Sequence, residues 1–409
     1  MKVLLDCTQI TVKKAGVGVY ALNLVRGLCR SHGRKFDLFL LVQDDDGDFQ
    51  IEGRNVQILR VASRLFRFLP FRLLMEQTYI PWLIRKYKID IVHSLHYSFA
   101  LLPSRAKRIV TIHDMTSFLM PEVHLKSKVL YFRFFITAAS YLADAQIYVS
   151  NSTREDWKKR FPRSSVSCYT VPLGKADRFR PDLDQASIAA VRKKYALTDP
   201  YILYIGTIEP RKNLTRLVSA FGEIAEQFPS HRLVITGMKG WGYEELFQTI
   251  KQLHLESRVV FTGFAEEEDK AQLLAGAEIF VYPSLYEGFG IPVLEAMACG
   301  IPTVTSAISS LPEVAGDGAL LVNPADTSDI RDKMEQLLRS ADLRSAMKAR
   351  ALKQAAKFTW ERTVSETINV YGAVGFSLGT APEVDQGAQS GENAGPNLSI
   401  ASHAPGKTD

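Results

Sequence analysis

The chain has 409 residues, 46% of them hydrophobic, which is ample apolar content for two cored domains. No stretch reaches the roughly 18 uninterrupted apolar residues of a membrane-crossing helix, so proteins built on such spans are excluded. A net charge of +6 leaves room for an anionic partner: nucleic acid, an anionic bilayer or an anionic substrate. No nucleic-acid motif accompanies that charge, and nucleic acid is not expected. Cys7, Cys29, Cys168 and Cys299 are scattered without a C-x-x-C pair, which fits reduced, buried thiols better than a disulfide frame or a zinc site. Met1 to Asp6 leads straight into a strand without the apolar core of a signal peptide. The expected location is therefore the cytoplasm, and the sequons at Asn151 and Asn213 are discounted.

Taken in order, strand patterns fall at 2–6, 36–42, 56–59, 89–93, 108–112, 146–149 and 166–171, with helical patterns between them, notably at 17–29, 125–142 and 153–160. After a break at 174–184 the plan repeats, with strands near 201–206, 231–236, 258–262, 277–282, 302–305 and 319–322. Strand and helix alternating in this way predict parallel sheets covered by helices on both faces. Two such units suit the length better than one sheet of a dozen strands. Helical stretches at about 326–338 and 340–356 follow, and a last helix opens near Phe358-Thr359-Trp360 and reaches about Gly375. The expected division is 1–178, 179–357 and a closing helix at 358–375. Residues 376–409 are rich in Gly, Ser, Pro and Ala and are expected to be disordered.

The most telling motif is Glu287-Gly288-Phe289-Gly290-Ile291-Pro292-Val293-Leu294-Glu295, which follows the strand pattern at 277–282. Pro292 suits the first turn of a helix, where a missing N–H costs least. The Gly-Phe-Gly turn then offers free amides at a helix N-terminus, a natural seat for phosphate. Two carboxylates beside an anion site make sense when each meets a neutral group. Sugar hydroxyls are the obvious candidates, so the inferred ligand is a sugar joined to a diphosphate. Earlier in the same half, Tyr201 to Gly206 reads as a buried strand running into Thr207-Ile208-Glu209-Pro210-Arg211-Lys212-Asn213-Leu214. Arg211 forks onto two phosphate oxygens and Lys212 adds a point charge. Asn213 is placed to cap the next helix.

Other candidates are weighed against plainer readings. Gly16-Val17-Gly18-Val19-Tyr20-Ala21 matches G-x-G-x-x-A, with Asp44 near the end of the second strand, and raises a dinucleotide-binding oxidoreductase as the rival. Nine residues between Asp6 and Gly16 are too many for that tight turn. The run Asp44-Asp45-Asp46-Gly47-Asp48 lacks the glycine an EF-hand needs at its sixth position, where Phe49 stands, and reads as a solvated acidic loop; no metal is expected. His113, and more weakly His96, fall at strand ends on the carboxyl edge of a sheet, where open α/β sheets bind ligands. Segment 60–74 mixes Arg60, Arg64, Arg67 and Arg72 with Phe66, Phe68 and Phe71. It reads either as an anionic-membrane surface or as an ordinary helix edge.

Residues 206–214 and 282–300 together resemble the family 4 retaining glycosyltransferases of GT-B fold, and the resemblance extends to about residue 375. In motif, 206–213 is most similar to bacterial mannosyltransferases that use GDP-mannose; enzymes using UDP-sugars share much of it. The resemblance implies two Rossmann-like domains facing across a cleft, an acceptor domain followed by a nucleotide-sugar domain, and a C-terminal helix crossing back to the first. It implies a metal-independent, cofactor-free transfer of a hexosyl group, mannosyl in the first instance, to a lipid-linked or growing polysaccharide at the inner face of the membrane. By the same resemblance His113, Arg211, Lys212 and Glu287 are the catalytic set. Gly16, Gly18, Glu209, Phe264, Gly288, Phe289, Gly290, Leu294 and Glu295 are the substrate-binding set. Phe264 lies near the base, Glu295 meets the ribose diol and Glu287 orients sugar hydroxyls. A nucleotide-sugar sensor with the same cleft is the non-enzymatic alternative.

Overall fold

The computed structural model describes residues 1–10, 16–31, 36–49 and 55–375, so the expectation for 376–409 lies outside the described residues. Within them two separate parallel sheets form. The first holds β1 (Lys2–Asp6), β2 (Asp37–Gln43), β3 (Val56–Val61), β4 (Ile91–Ser94), β5 (Lys107–Ile112), β6 (Ala145–Tyr148) and β7 (Ser167–Thr170), in the order β3-β2-β1-β4-β5-β6-β7. The second holds β8 (Tyr201–Ile205), β9 (Arg232–Thr236), β10 (Val259–Gly263), β11 (Ile279–Tyr282), β12 (Thr303–Ser306) and β13 (Leu320–Val322), in the order β10-β9-β8-β11-β12-β13. Each strand starts and ends within two residues of its expected position. The central runs are apolar, as in Val3-Leu4-Leu5 and Tyr201 to Ile205, because helices cover both faces of a parallel sheet.

The strand order reverses between β1 and β4 in the first sheet and between β8 and β11 in the second. At such a point neighbouring loops leave in opposite directions and open a crevice at the carboxyl edge. The segment after β8 is Gly206 to Lys212, and the segment after β11 is Pro283 to Gly290. Strand order alone therefore brings the two motifs of the second half together.

The closing helix Trp360–Gly375 returns to the first half and lies against the helix Val17–Arg30. Tyr371, fully buried, hydrogen-bonds through its hydroxyl to His93 Nδ1 at 2.7 Å, and His93 Nε2 meets the Thr111 hydroxyl at 2.8 Å. The Thr363 hydroxyl donates to the carbonyl of Pro172 at 2.7 Å. His93 is thus a structural link between the first sheet and the closing helix, a role its sequence context did not reveal.

One expectation needs correction. Asn213 does not cap the helix Leu214–Ile224 with its side chain. It sits in the left-handed region (φ 62°), and its Nδ2 donates to the carbonyls of Pro283 (3.0 Å) and Pro324 (2.7 Å). It ties the β8 loop to the β11 loop. Segment 60–74 is only partly surface. Phe66 is buried with its ring edge-on to Phe71, while Arg72 lies between Glu76 and the Tyr131 hydroxyl. Arg67 reaches Gln43 and Asp45. Phe68 alone of the three phenylalanines is open to solvent, at 64% exposure.

Candidate active site

A cavity of about 370 Å³ lies between the two halves. Gly16, Val17, Val19, His113 and Asp114 line it from the first half. The β8, β9 and β11 loops and the start of the helix Ile291–Ala298 line it from the second. The halves touch at its edges. Glu313 accepts from the amides of Asn151 and Ser152 at the start of the helix Asn151–Arg160, at 2.9–3.3 Å. The Tyr286 hydroxyl donates to Asp156 at 2.9 Å, and the Thr153 hydroxyl to the Gly288 carbonyl at 3.2 Å.

Gly288 shows why that turn needs glycine. A Cβ there would stand 1.8 Å from the carbonyl oxygen of His113, so only a bare backbone lets the β11 loop reach the first half. Gly290, at φ 104°, then sets the left-handed start of the helix Ile291–Ala298, which carries Pro292 in its first turn and no side-chain cap. The terminus carries the partial positive charge of unpaired amides and opens into the cavity.

Arg211 and Lys212 close the short 3₁₀ turn Pro210–Lys212. Lys212 is buried and Arg211 half-buried, and both are bound to carboxylates. Lys212 Nζ donates to Glu287 Oε1 at 2.6 Å and to the Tyr282 hydroxyl at 2.7 Å. Arg211 Nη1 lies 3.0 Å from Glu287 Oε2, while its Nε and Nη2 donate to Glu209 Oε1 at 3.1 and 2.7 Å. Tyr282 and Ser284 hydroxyls also donate to Glu287 Oε1, at 3.1 and 2.7 Å. Burial pushes the Glu287 carboxyl upward, but the charges of Arg211 and Lys212 and the donors around it outweigh burial and bring it to about 2. For Arg211 the paired carboxylates overcome burial and raise the pKa; for Lys212 burial prevails and lowers it.

Glu295 is buried and lines the cavity as Glu287 does, four residues into the helix Ile291–Ala298, but among the described residues its carboxylate makes no ion pair. Burial raises its carboxyl to about 7, eased by the charge of Lys270. His113 Nε2 meets the Leu95 carbonyl at 2.8 Å. That contact requires a proton on Nε2, leaving Nδ1 as the acceptor of a neutral ring. Burial lowers its pKa, against the raising effect of the Leu95 contact and of Asp114.

The cavity thus gathers Gly16, His113, Glu209, Arg211, Lys212, Phe264, Glu287, Gly288, Phe289, Gly290 and Glu295. It does not include Gly18, which is buried within the helix Val17–Arg30, nor Leu294, which is fully buried in the core. His96 is also off the cavity, packed against Tyr97, Phe132 and His113. With Gly18 turned inward, the glycine pattern at 16–21 does not form a dinucleotide cradle. Sequence reasoning gave Tyr282 and Ser284 no separate role, though both stand within the motif that led to Glu287. Lys270, which faces Glu295, follows three glutamates in a polar stretch that offers no distinguishing signal.

Two Rossmann-like domains with a loop-built cavity between them, and paired cations beside a helix terminus, define the GT-B class of glycosyltransferase. The second half, residues 187–354, matches the model of glycosyl transferases group 1, and residues 15–174 match that of glycosyltransferase family 4. The chain is 32% identical over 381 residues to an O-antigen chain mannosyltransferase B of Escherichia coli, covering 91% of this chain and 99% of that protein. It is 36% identical over 213 residues to the serotype-specific mannosyltransferase WbdA of the same species, there covering 51% of this chain and 26% of that protein. The chain belongs to the family 4 glycosyltransferases. Among solved structures, Anabaena HepE in complex with UDP and glucose superposes with a TM-score of 0.72 at 18% identity, covering 91% of this chain and 100% of that one.

Proposed function

We propose that the protein moves a mannosyl group from GDP-mannose to a hydroxyl of a lipid-linked or growing polysaccharide, retaining the anomeric configuration and using no metal. The observation that carries this reading is the pairing of two unlike groups in one cavity: the Arg211–Lys212–Glu287 cluster and the unpaired carboxyl of Glu295. Breaking the anomeric bond builds negative charge on the diphosphate. Arg211, Lys212 and the terminus at Gly290 are preorganised donors for that charge, in a site that costs no rearrangement at the moment of reaction. Glu295, ionised, takes the ribose diol, and Phe264 at the cavity rim meets the base. Glu287 fixes both cations and offers its remaining lone pairs to sugar hydroxyls. His113 Nδ1, neutral and weakly basic, accepts from a sugar hydroxyl across the cleft. With His113 Nδ1 engaged by the sugar hydroxyl, the acceptor proton passes to the leaving phosphate.

The mannosyl choice is supported by the motif at 206–213 and by the two mannosyltransferase relatives. A UDP-sugar donor is the alternative. Purified protein is offered a panel of nucleotide sugars in excess chelator, and both hydrolysis and transfer are quantified, with the product anomer read by NMR. Turnover of GDP-mannose with an α-linked product is expected. Preference for a UDP-sugar, loss of activity restored by Mn²⁺, or inversion would each overturn its part of the reading.

A further inference from the structure

We propose that Asp114 recognises the acceptor: its carboxylate takes a hydroxyl of the acceptor sugar next to the one that attacks. This rests on the transferase reading above and adds to it a residue that selects the acceptor. The first half forms one wall of the cavity. Among the described residues, only His113 and Asp114 bring polar side chains to that wall. The rest of it is Gly16, Val17, Val19, Val149 and Leu173. An apolar wall discriminates weakly between a sugar and another molecule of its size, whereas a placed hydrogen-bonding group rejects an analogue that lacks the matching hydroxyl. His113 offers one acceptor nitrogen, which the donor sugar takes. Asp114 is the group that remains for the acceptor.

The carboxylate is held in place. Asp114 Oδ1 accepts from the Thr116 amide at 2.9 Å and from the Thr116 hydroxyl at 2.5 Å. That hydroxyl has one proton and donates it there, so the 2.8 Å contact between His124 Nε2 and Thr116 Oγ1 requires a proton on Nε2. His124, Thr116 and Asp114 thus form a chain of hydrogen bonds that ends on the cavity wall. The Thr116 turn uses Oδ1 alone. Among the described residues Asp114 makes no ion pair, whereas Glu209 and Glu287 on the opposite wall are both paired with Arg211. The position suits the role. Asp114 Cβ lies 3.1 Å from where a Cβ on Gly288 would stand, beside the turn that follows Glu287. At Arg211, burial lowers the pKa and the charges of Glu287, Glu209 and, more weakly, Asp114 raise it, so the carboxylate stands within electrostatic reach of the proposed diphosphate site. Holding a neighbouring hydroxyl leaves the proton of the attacking hydroxyl free to pass to the leaving phosphate.

Asp114→Asn keeps an oxygen for the Thr116 turn and turns the other into an amide donor. Asp114→Ser keeps an acceptor for the Thr116 amide and loses the carboxylate. Wild type and both variants receive the nucleotide sugar selected by the donor panel, with methyl α-mannoside and its monodeoxy analogues as soluble acceptors. Transfer and hydrolysis are quantified together. Wild type should disfavour one monodeoxy analogue at least about tenfold. In folded Asp114→Asn, acceptor KM for the parent sugar should rise at least about tenfold, the ratio of transfer to hydrolysis should fall, and discrimination against that analogue should vanish. Asp114→Ser carries the same expectations if the Asn variant does not fold. Wild type that treats all the analogues alike or transfers to none of them overturns the proposal. So do variants that discriminate as wild type does, or that lose every acceptor equally, as a purely structural Asp114 would. Each of these outcomes leaves donor turnover in place. A panel in which no nucleotide sugar is turned over strikes the transferase reading itself, and this proposal with it.

Discussion

Replacing Glu287 by Gln tests the site where its electrostatics are strongest. The side chain keeps its shape and loses its charge. Burial raises the carboxyl and its two cations and hydroxyl donors lower it by more, leaving it at about 2 against an ordinary 4.5. At 1.36 kcal/mol per unit, that difference corresponds to roughly 3 kcal/mol of folding stability. The sign is fixed by the depressed value: the contribution is complete above the unfolded value near 4.5 and is lost as pH falls toward 2. Glu287→Gln should therefore lower stability by roughly 3 kcal/mol at pH 7, and by less than half of that near pH 3. Urea unfolding of both proteins at the two pH values measures it. Turnover should fall by about 10²-fold or more, because Arg211 and Lys212 lose the anchor that aims them. Donor KM should hold or fall, because the cavity becomes more positive. A stability gap that is absent at pH 7, or equal at both pH values, refutes the electrostatic account. A rise in donor KM with unchanged kcat refutes the assignment to the transition state.

Lys212→Ala should lower kcat by about 10²–10³ while leaving the protein folded, since one contact to growing charge is worth on the order of 3–4 kcal/mol; retention of more than half the activity in a folded variant would sink it. Glu295 has the opposite pH sign to Glu287. Burial raises it to about 7, so ionising it costs stability as pH rises from about 4.5 through 7. Glu295→Gln should become the more stable protein across that window, by up to roughly 3 kcal/mol at pH 8, and should remove the improvement in donor KM expected of wild type between pH 6 and 8; a pH-independent difference counts against it. Glu313→Ala removes the acceptor that holds the start of the helix Asn151–Arg160 to the second half, so the radius of gyration by solution scattering should increase without donor; an unchanged value means the latch carries no closure.

The fold was legible because parallel strands advertise themselves. Buried on both faces, β1 and β8 read as continuous apolar runs, and the helices between them repeat every turn. The lining of the candidate cavity was legible where chemistry is local in sequence, as in the Gly-Phe-Gly turn and its flanking carboxylates. What stayed hidden was pairing across distance. Glu287 lies 75 residues from Lys212, and no local pattern says that it would be clamped by two cations and two hydroxyls. Asn213 was misread for the same reason, since its partners Pro283 and Pro324 are equally remote. Leu294 was a different error. In the helix Ile291–Ala298 the residues lining the cavity are Ile291, Pro292 and Glu295, while Leu294, about 100° of helical turn from Glu295, is fully buried in the core. Leu294 shares the i, i+3 face with Ile291, so the helical period alone does not separate it from the cavity lining.

The two carboxylates that hold Arg211 are unequal, and the inequality bears on how a diphosphate enters. Without donor the cations Arg211 and Lys212 face Glu209 and Glu287, a near-neutral set in a buried place. A diphosphate adds negative charge that this set must accommodate. Glu287 is bound through both oxygens, to two cations and two hydroxyls, so displacing it would break four contacts at once. Glu209 is bound through one oxygen to one partner, the Nε–Nη2 edge of Arg211. That edge is also the planar fork that matches two phosphate oxygens. If a diphosphate binds as proposed, exchange of Glu209 for phosphate on the fork would keep Arg211 aimed before and after donor arrives and would free a carboxylate at the cavity wall. Glu287 would then fix where the cations stand, and Glu209 would hold the fork until the phosphate takes its place.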